Sequence, residues 1–397
     1  MTTAPPPGDV VATEGLDLGT LNLMLEALGE FVGQELPDKR MLELDHEDVC
    51  PEDTVRAMCS DALGVQLVFI PEEYGGMGGD YFALCLALEE LARVDSSVAI
   101  TLEDSVSLGA MPIFRYGTEE QKQRWLPELC TGQRLGAFGL TEPGGGSDAG
   151  ATRTTARCEG DEWVINGSKA FITNSGTDIT SVVTVTAITG VSGGRKEIST
   201  IMVPAGHPGF TVSPNYSKVG WRCSDTRGLF FDDCRVPLSN LLGERGRGYA
   251  QFLAILDEGR IAIAALGVGL AQGCIDECVS YAQQRHAFGH AIGSYQAIQF
   301  KIADMETRTH AARLTYYHAA ERMLRGEPFK KEAAIAKLVS SNAAMDNARD
   351  ATQVFGGYGF MNEYPVARFY RDAKVLEIGE GTSEVQRILI ARHLGVG

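Results

Sequence analysis

The order of apolar and polar positions changes character twice along the chain. In residues 18–131 apolar side chains recur at helical spacing. The helices predicted there from periodicity are Leu21–Gly33, Glu52–Leu63 and the strongly apolar run Tyr81–Leu91. Thr118, followed three residues later by Gln121, predicts a capping box and a fourth helix that ends near Gly132.

From about Leu135 the pattern becomes that of short β-strands. The predicted strands are Thr152–Ala156, Trp163–Ile165, Ser181–Ala187, Ser199–Val203 and Gly228–Phe231. Gly160-Asp161 predicts a turn, and Asn166-Gly167 is a strong signal for a hairpin. Strands of this length and spacing predict a small barrel or sandwich.

Helical periodicity returns near Glu244 and continues to the end of the chain. One predicted helix presents Ile335, Leu338 and Val339 on a common face. Several long helices with short links predict an antiparallel bundle. The predicted fold class is therefore α+β and mostly α. Its parts are an N-terminal helical domain (1–133), a middle β-barrel or sandwich domain (134–243) and a C-terminal helical domain (244–397).

The composition of the chain limits the kinds of molecule that the protein is expected to bind. The chain has 35 basic and 52 acidic residues and a net charge of −17, which argues against nucleic acid and against anionic membrane surfaces. No stretch approaches 18 consecutive apolar residues, so no membrane insertion is predicted. No Lys or Arg precedes Lys39, and nine scattered cysteines form no CxxC pair. These features predict a cytoplasmic protein with free thiols and no metal site.

Two glycine-rich stretches are candidates for chemistry. Thr141–Asp148 could let the backbone approach a planar or phosphorylated ligand, or it could be a long turn before a hairpin. In the second stretch Glu380 lies between Gly379 and Gly381, before a helix that Ser383 is predicted to cap with Gln386. A carboxylate at such a position could project into a cavity, or it could be an ordinary acidic loop residue.

These stretches resemble the two signatures of the acyl-CoA dehydrogenase family. Thr141–Asp148 is similar to the first signature, and Glu380–Arg387 is similar to the second. Further pieces of the family pattern, in family order, are Phe171–Asn174, Leu256–Arg260, Arg285–Gly289, Tyr295–Phe300 and Gln353–Gly359. The resemblance runs from about Val68 to Leu394.

The resemblance implies a three-domain fold with a C-terminal four-helix bundle, FAD as cofactor and a homo-oligomer, usually a tetramer. On this basis the flavin would be lined by Phe138, Leu140, Thr141, Ser147, Phe171, Thr173, Thr382 and Glu384. The neighbouring subunit would contribute Arg285, Phe288, Gln296, Gln353 and Gly357. Acyl-CoA would meet Ser147, Asp257, Arg260 and Gly381, and Glu380 falls on the base position of most of the family.

The implied reaction is dehydrogenation of an acyl-CoA thioester to the trans-2-enoyl-CoA. A base removes the weakly acidic α-proton while hydride passes from the β-carbon to flavin N5, and fixed donors stabilise the charge on the thioester oxygen. Some branches of the family carry the base on a helix, at a position that is Gly259 here. Relatives also form part of the acyl pocket from the segment that contains Glu103 and Asp104, which we expect to be solvated.

Three functional classes follow from the resemblance. The first is a dehydrogenase that passes electrons to an electron-transfer flavoprotein. The alternatives are a flavin oxidase and a flavin-binding homologue without dehydrogenase activity. Residues 98–112 contain no Arg or Lys that could pair with a distal carboxylate. The sequence therefore predicts an uncharged acyl chain, short to medium in length or branched.

Overall fold

The computed structural model describes residues 18–58 and 70–396. The second half of the predicted helix Glu52–Leu63 lies outside them. The N-terminal helices are α1 (Leu18–Glu35), α2 (Asp38–Glu47), α3 (Glu52–Met58), α4 (Tyr81–Val94), α5 (Ser96–Glu103), α6 (Met111–Tyr116) and α7 (Glu119–Cys130). A π-helical segment, Asp104–Ala110, joins α5 to α6. The capping box of Thr118 and Gln121 at the start of α7 is confirmed.

The middle of the chain forms one sheet. Its strands are β1 (Leu135–Gly139), β2 (Thr155–Glu159), β3 (Glu162–Thr173), β4 (Thr180–Ser192), β5 (Arg195–Pro204), β6 (Phe210–Val212), β7 (Thr226–Pro237) and β8 (Leu241–Leu242). The order is β6-β7-β3-β2-β4-β5-β8, and β1 pairs with β4 in parallel. The predicted β domain is confirmed, but no barrel closes among the described strands.

The hairpin predicted at Asn166-Gly167 is wrong. Both residues lie inside β3, and the turn is at Gly160-Asp161, so that Glu159 pairs with Glu162. Asn166 exchanges two hydrogen bonds with Asp233 of β7, at a shift in the register of that pairing. Gly167 is required there because a Cβ would lie 2.6 Å from the Thr154 hydroxyl.

The C-terminal part is helical, as predicted. It contains α8 (Gly248–Gln284), two short strands β9 (His286–Ala287) and β10 (His290–Ala291), α9 (Gln296–Leu324), α10 (Lys330–Phe355), α11 (Pro365–Leu376) and α12 (Ser383–His393). No helix or strand crosses either predicted domain limit, and these limits stay a proposal. Among residues 18–58 and 70–396, no helix combines the length and hydrophobicity needed to cross a bilayer.

The buried face of α10 differs from the predicted one. Ile335, Leu338 and Val339 are only half-buried. Small residues with one lysine form the buried stripe instead: Ala333, Ala334, Ala336, Lys337, Ser340, Ser341 and Ala344. Small side chains let α8 approach closely, since a Cβ added at Gly267 would lie 3.3 Å from Ser340.

A buried ion cluster joins all three parts of the chain. Arg368 of α11 forms an ion pair with Asp95, and both side chains are fully buried. Asp372, one turn further along α11, accepts hydrogen bonds from the backbone N–H of Trp221 at 2.7 Å and from the Ser96 hydroxyl at 3.0 Å. Burial raises the pKa of Asp372 to about 7. We refer to Asp95, Arg368 and Asp372 as the buried ion cluster.

Candidate active site

The turn between α11 and α12 holds Glu380 in an unusual backbone conformation. Glu380 has φ 50° and Gly381 has φ 95°. A non-glycine residue in this left-handed region costs about 1–3 kcal/mol and persists only where its surroundings enforce it. Thr382, not Ser383, caps α12 by accepting a hydrogen bond from the Val385 N–H.

The predicted capping box of Ser383 and Gln386 is therefore wrong. The Gln386 amide points to the turn, where it donates to the carbonyl of Gly381 at 2.9 Å and to that of Glu380 at 3.4 Å. Gln386 thus stabilises the conformation that carries Glu380.

The carboxylate of Glu380 reaches into the interior, although the residue as a whole is half-buried. Its Oε2 atom is buried and accepts no hydrogen bond from an amide, hydroxyl or basic group of the described residues, but the carboxyl group of Glu103 lies within hydrogen-bonding reach of the Glu380 carboxylate. It faces Gly259 of α8, where an added Cβ would lie 2.8 Å from Oε2. Burial raises the pKa of Glu380 to about 7, and the charge of Lys337, a hydrogen bond from the Glu103 carboxyl group and the charge of Arg260 oppose the rise. A carboxylate with a pKa near neutrality is well suited to general-base catalysis.

Glu103 and Asp104 are buried, so the expectation that they are solvated is wrong. Their exposed fractions are 0% and 7%, because every residue of α5 and of the π-helical segment is packed inside. The carboxyl group of Glu103 lies close to the Ser107 hydroxyl and to the Glu380 carboxylate. Burial raises the pKa of Glu103 well above its usual range, and the nearby charges of Glu380 and Asp104 raise it further. The neighbourhood of Glu380 is therefore rich in acids.

Two predicted substrate residues lie on α8 close to this region. Asp257 and Arg260 are both buried and form an ion pair. Asp257 forms a second ion pair with Lys330, whose Nζ lies 2.7 Å from Oδ2 of Asp257. Arg260 is near enough to lower the pKa of Glu380. Asp257, Arg260, Glu380 and Gly381 are thus brought to one region.

The first glycine-rich stretch is fixed from beneath by a buried lysine. Lys169 donates to the Glu142 carboxylate at 2.8 Å and to the Leu140 carbonyl at 3.3 Å. Glu142 also accepts the backbone N–H groups of Arg153 and Thr154. This leaves Thr141 half-buried and Ser147 exposed at the surface of the turn.

The other predicted flavin residues of this subunit differ in exposure. Phe171 is 67% exposed and has φ 61°, which presents its ring outward. Phe138 and Leu140 are buried, and Phe138 stacks on Phe252 of α8. Of the remaining ones, Thr173 and Thr382 are half-buried and Glu384 is exposed.

The residues predicted to serve a neighbouring subunit form a separate, exposed group. They are Arg285, Phe288, Gln296, Gln353 and Gly357. Phe288 is 94% exposed, and Arg285 lies over the ring of Tyr358 at 5.4 Å from its centroid. Arg285 and Gly357 line a cavity of about 520 Å³. Within the described part of the chain Arg285 has no acidic partner, so its charge is available to an anionic ligand.

Sequence reasoning missed the two buried lysines, Lys169 and Lys337. A signal for Lys337 existed, since it is a single charge inside the apolar run Ala333–Val339. A buried charge needs partners and therefore indicates a specific structural or functional role.

Comparison with known proteins finds one family along the whole described fold. Models of the acyl-CoA dehydrogenase N-terminal, middle and C-terminal domains match residues 20–133, 137–234 and 246–395. The chain is 46% identical over 352 residues to the mitochondrial short-chain specific acyl-CoA dehydrogenase of Rattus norvegicus, which covers 89% of this chain and 84% of the relative.

Two solved structures have the same fold over 94% of this chain and 97% of theirs, each with a TM-score of 0.90. One is butyryl-CoA dehydrogenase from Megasphaera elsdenii, at 41% identity. The other, at 42% identity, belongs to a study of the electron transferring flavoprotein of Acidaminococcus fermentans and flavin-based electron bifurcation. Because models of all three domains match in order and cover nearly the whole length, this chain belongs to the acyl-CoA dehydrogenase family.

Proposed function

We propose that this protein dehydrogenates a short, uncharged acyl-CoA to the trans-2-enoyl-CoA, with Glu380 as the general base. The proposal is supported mainly by the buried Oε2 of Glu380, which is held by a left-handed turn opposite Gly259 and pairs with no cation of the described residues. Acyl-CoA dehydrogenation is the activity that the names of the relatives state.

Two of the other acids near the candidate site, Glu103 and Asp104, have pKa values that burial raises well above their usual ranges, so they favour the protonated form, which cannot accept a proton. Three further acids are engaged in ion pairs. Glu142 binds Lys169, Asp257 binds Arg260, and Glu258 binds Arg115 at 3.0 Å. A carboxylate that is held in an ion pair is less available to a substrate proton, because the cation occupies its oxygen atoms. Glu380 is therefore the best candidate for proton abstraction.

The residues of this chain provide orientation and a proton acceptor. Arg260 and Asp257 would contact the acyl-CoA, and the Glu380 backbone N–H would donate to the thioester oxygen, where charge develops. When bound, FAD accepts the hydride from the β-carbon. The flavin would be held by the exposed ring of Phe171, by Thr141 and Ser147 on the turn that Lys169 anchors, and by Thr382.

An electron-transfer flavoprotein is the proposed acceptor of the electrons. If the protein were instead a flavin oxidase, oxygen would accept the electrons. Turnover of the purified flavoprotein with an artificial acceptor but not with oxygen would support a dehydrogenase, and turnover with oxygen alone would support an oxidase. A preparation that binds flavin but reacts with neither would indicate a binding protein.

The substrate is expected to lack a charged tail. An acyl chain with a distal carboxylate would meet the buried acids Glu103 and Asp104 and no cation in residues 98–112. Burying an unpaired charge is costly, so glutaryl-CoA should react much more slowly than butyryl-CoA or hexanoyl-CoA. Reduction of the flavin by a panel of acyl-CoA thioesters measures this preference, and faster reaction with glutaryl-CoA contradicts it.

Arg285 is expected to bind the pyrophosphate of FAD held mainly by a neighbouring subunit. A guanidinium suits phosphate oxygens, and that of Arg285 is exposed with no acidic partner among the described residues. Arg285→Ala should therefore lower the FAD content and weaken the oligomer, which we propose to be a tetramer. Absorbance ratios and sedimentation measure both quantities. A variant with a full complement of FAD and a normal oligomeric state would rule out this role.

A further inference from the structure

A fully buried lysine lies beneath the turn that carries Glu380. Lys337, on α10, has an exposed fraction of 0%. Its Nζ donates to the carbonyl oxygen of Leu376 at 2.6 Å and to that of Gly381 at 2.9 Å. Leu376 is the last residue of α11, and Gly381 directly precedes the cap of α12. One ammonium group therefore connects both ends of the segment that contains Glu380.

Neutral side chains already support the same two carbonyls. Ser341 donates to the Leu376 carbonyl at 2.8 Å, and Gln386 donates to the Gly381 carbonyl at 2.9 Å. Neither carbonyl would be left without a partner if Lys337 were replaced. The need to satisfy these backbone groups does not by itself explain a buried charge.

The charge of Lys337 is costly at this position. Within the described part of the chain no carboxylate lies within ion-pairing distance of its Nζ, and a buried ammonium without a paired anion is expensive. Burial lowers the pKa of Lys337 to about 8, and the charge of Glu380 opposes that shift. The lysine is thus still protonated at neutral pH, next to the carboxylate that is to act as base.

We propose that Lys337 is a positioning residue for the dehydrogenation. It fixes the turn that directs Glu380 toward the substrate, and its positive charge favours the ionised form of that carboxylate. The inference rests on the proposed role of Glu380 as base. Other charged groups act on the same pair: Arg260 from α8, Glu103 and Asp104 from the N-terminal domain, and Glu377 and Glu384 from the segment around α12.

The test compares Lys337→Met, which removes the charge and both hydrogen bonds, with Lys337→Gln, which keeps an amide donor. Lys331→Met is the matched control, because Lys331 lies on the same helix, is partly exposed and, among residues 18–58 and 70–396, pairs only with its neighbour Glu332. Anaerobic bleaching of the flavin by butyryl-CoA is measured as a function of pH. FAD content and thermal stability are measured for each variant.

Lys337→Met should bleach about 10²-fold more slowly at neutral pH, because a small displacement of a catalytic group has an effect of this size. Without the cation the Glu380 carboxylate binds its proton more tightly, so the midpoint of the pH profile should move to higher pH. Lys337→Gln should lose less rate but show the same shift. Lys331→Met should match the wild type in rate and midpoint.

Wild-type rate and midpoint in both Lys337 variants would overturn the proposal. A second result would also overturn it: a rate that falls only in proportion to lost FAD or lower thermal stability, while the midpoint of the pH profile stays unchanged. That result would mean that Lys337 has a purely structural role. If Lys337→Met does not fold, Lys337→Gln alone decides between these outcomes. Failure of the base assignment is distinguishable, because then Glu380→Gln bleaches rapidly or the wild type does not bleach at all.

Discussion

Glu380→Gln is expected to bind FAD and acyl-CoA and to fail in proton abstraction. Glutamine keeps the size of the side chain, and the backbone contacts that hold the turn remain. A positioned general base contributes about 10²–10⁴-fold to a rate, and we expect the upper end because Oε2 is shielded from solvent. The measurement is anaerobic bleaching of the flavin on mixing with butyryl-CoA. Bleaching at a near wild-type rate would move the search for the base to Glu142, Asp257 or Glu258.

A second substitution makes this experiment more specific. Gly259 faces the Glu380 carboxylate from α8, so a carboxylate introduced there would occupy the same region from the opposite side. Gly259→Glu combined with Glu380→Gln should recover part of the lost rate. Gly259→Gln in the same background is the control, because it fills the space without restoring a base. Equal rates for the two double variants would show that position 259 cannot supply the proton acceptor.

Arg368→Leu is expected to destabilise the protein strongly. The substitution removes the cation of the buried ion cluster and leaves Asp95 buried without its partner. Breaking one side of a buried pair lowers the free energy of unfolding by about 3–5 kcal/mol. Denaturant unfolding followed by tryptophan fluorescence measures the loss. An unchanged midpoint of unfolding would show that the pair contributes little.

Arg349→Leu is the matched control for this prediction. Arg349 pairs with Asp346 at 3.0 Å, but its side chain is 63% exposed, so the expected loss is below about 1 kcal/mol. The pH dependence gives a further check. Burial raises the pKa of Asp95 and Arg368 opposes the rise. Without Arg368 the folded-state pKa of Asp95, which already lies above the unfolded value, rises further, so the added destabilisation should be largest near neutral pH and shrink as the pH falls.

Local sequence signals predicted only part of the local structure. The cap of α7 depends on Thr118 and Gln121 alone, which are three residues apart, and it is found as expected. The hairpin signal of Asn166-Gly167 failed because Asn166 is bonded to Asp233, 67 residues further along the chain. The general order of helical and β segments was predictable, since periodicity reports which side of an element is buried.

The details of the candidate site depend on packing that periodicity does not report. Glu103 is a polar residue in a helical segment, and only the covering of every face of α5 and the π-helical segment makes it buried. The buried face of α10 was missed for a similar reason, because close approach to α8 selects small residues there over the larger Ile335 and Leu338. Position 380 was predictable as a candidate base, whereas its unpaired Oε2 required the structure.

The buried ion cluster also sets the order in which this protein can complete its folding. Asp95 and Arg368 are separated by 273 residues, and Trp221, which binds Asp372, comes from the segment between them. During synthesis the N-terminal helices emerge long before the arginine that neutralises Asp95. The N-terminal part must therefore carry an unpaired acid at its future interface until α11 leaves the ribosome. Final docking of the three parts therefore cannot precede the synthesis of α11, and residues 1–133 expressed alone would lack the ion pair between Asp95 and Arg368.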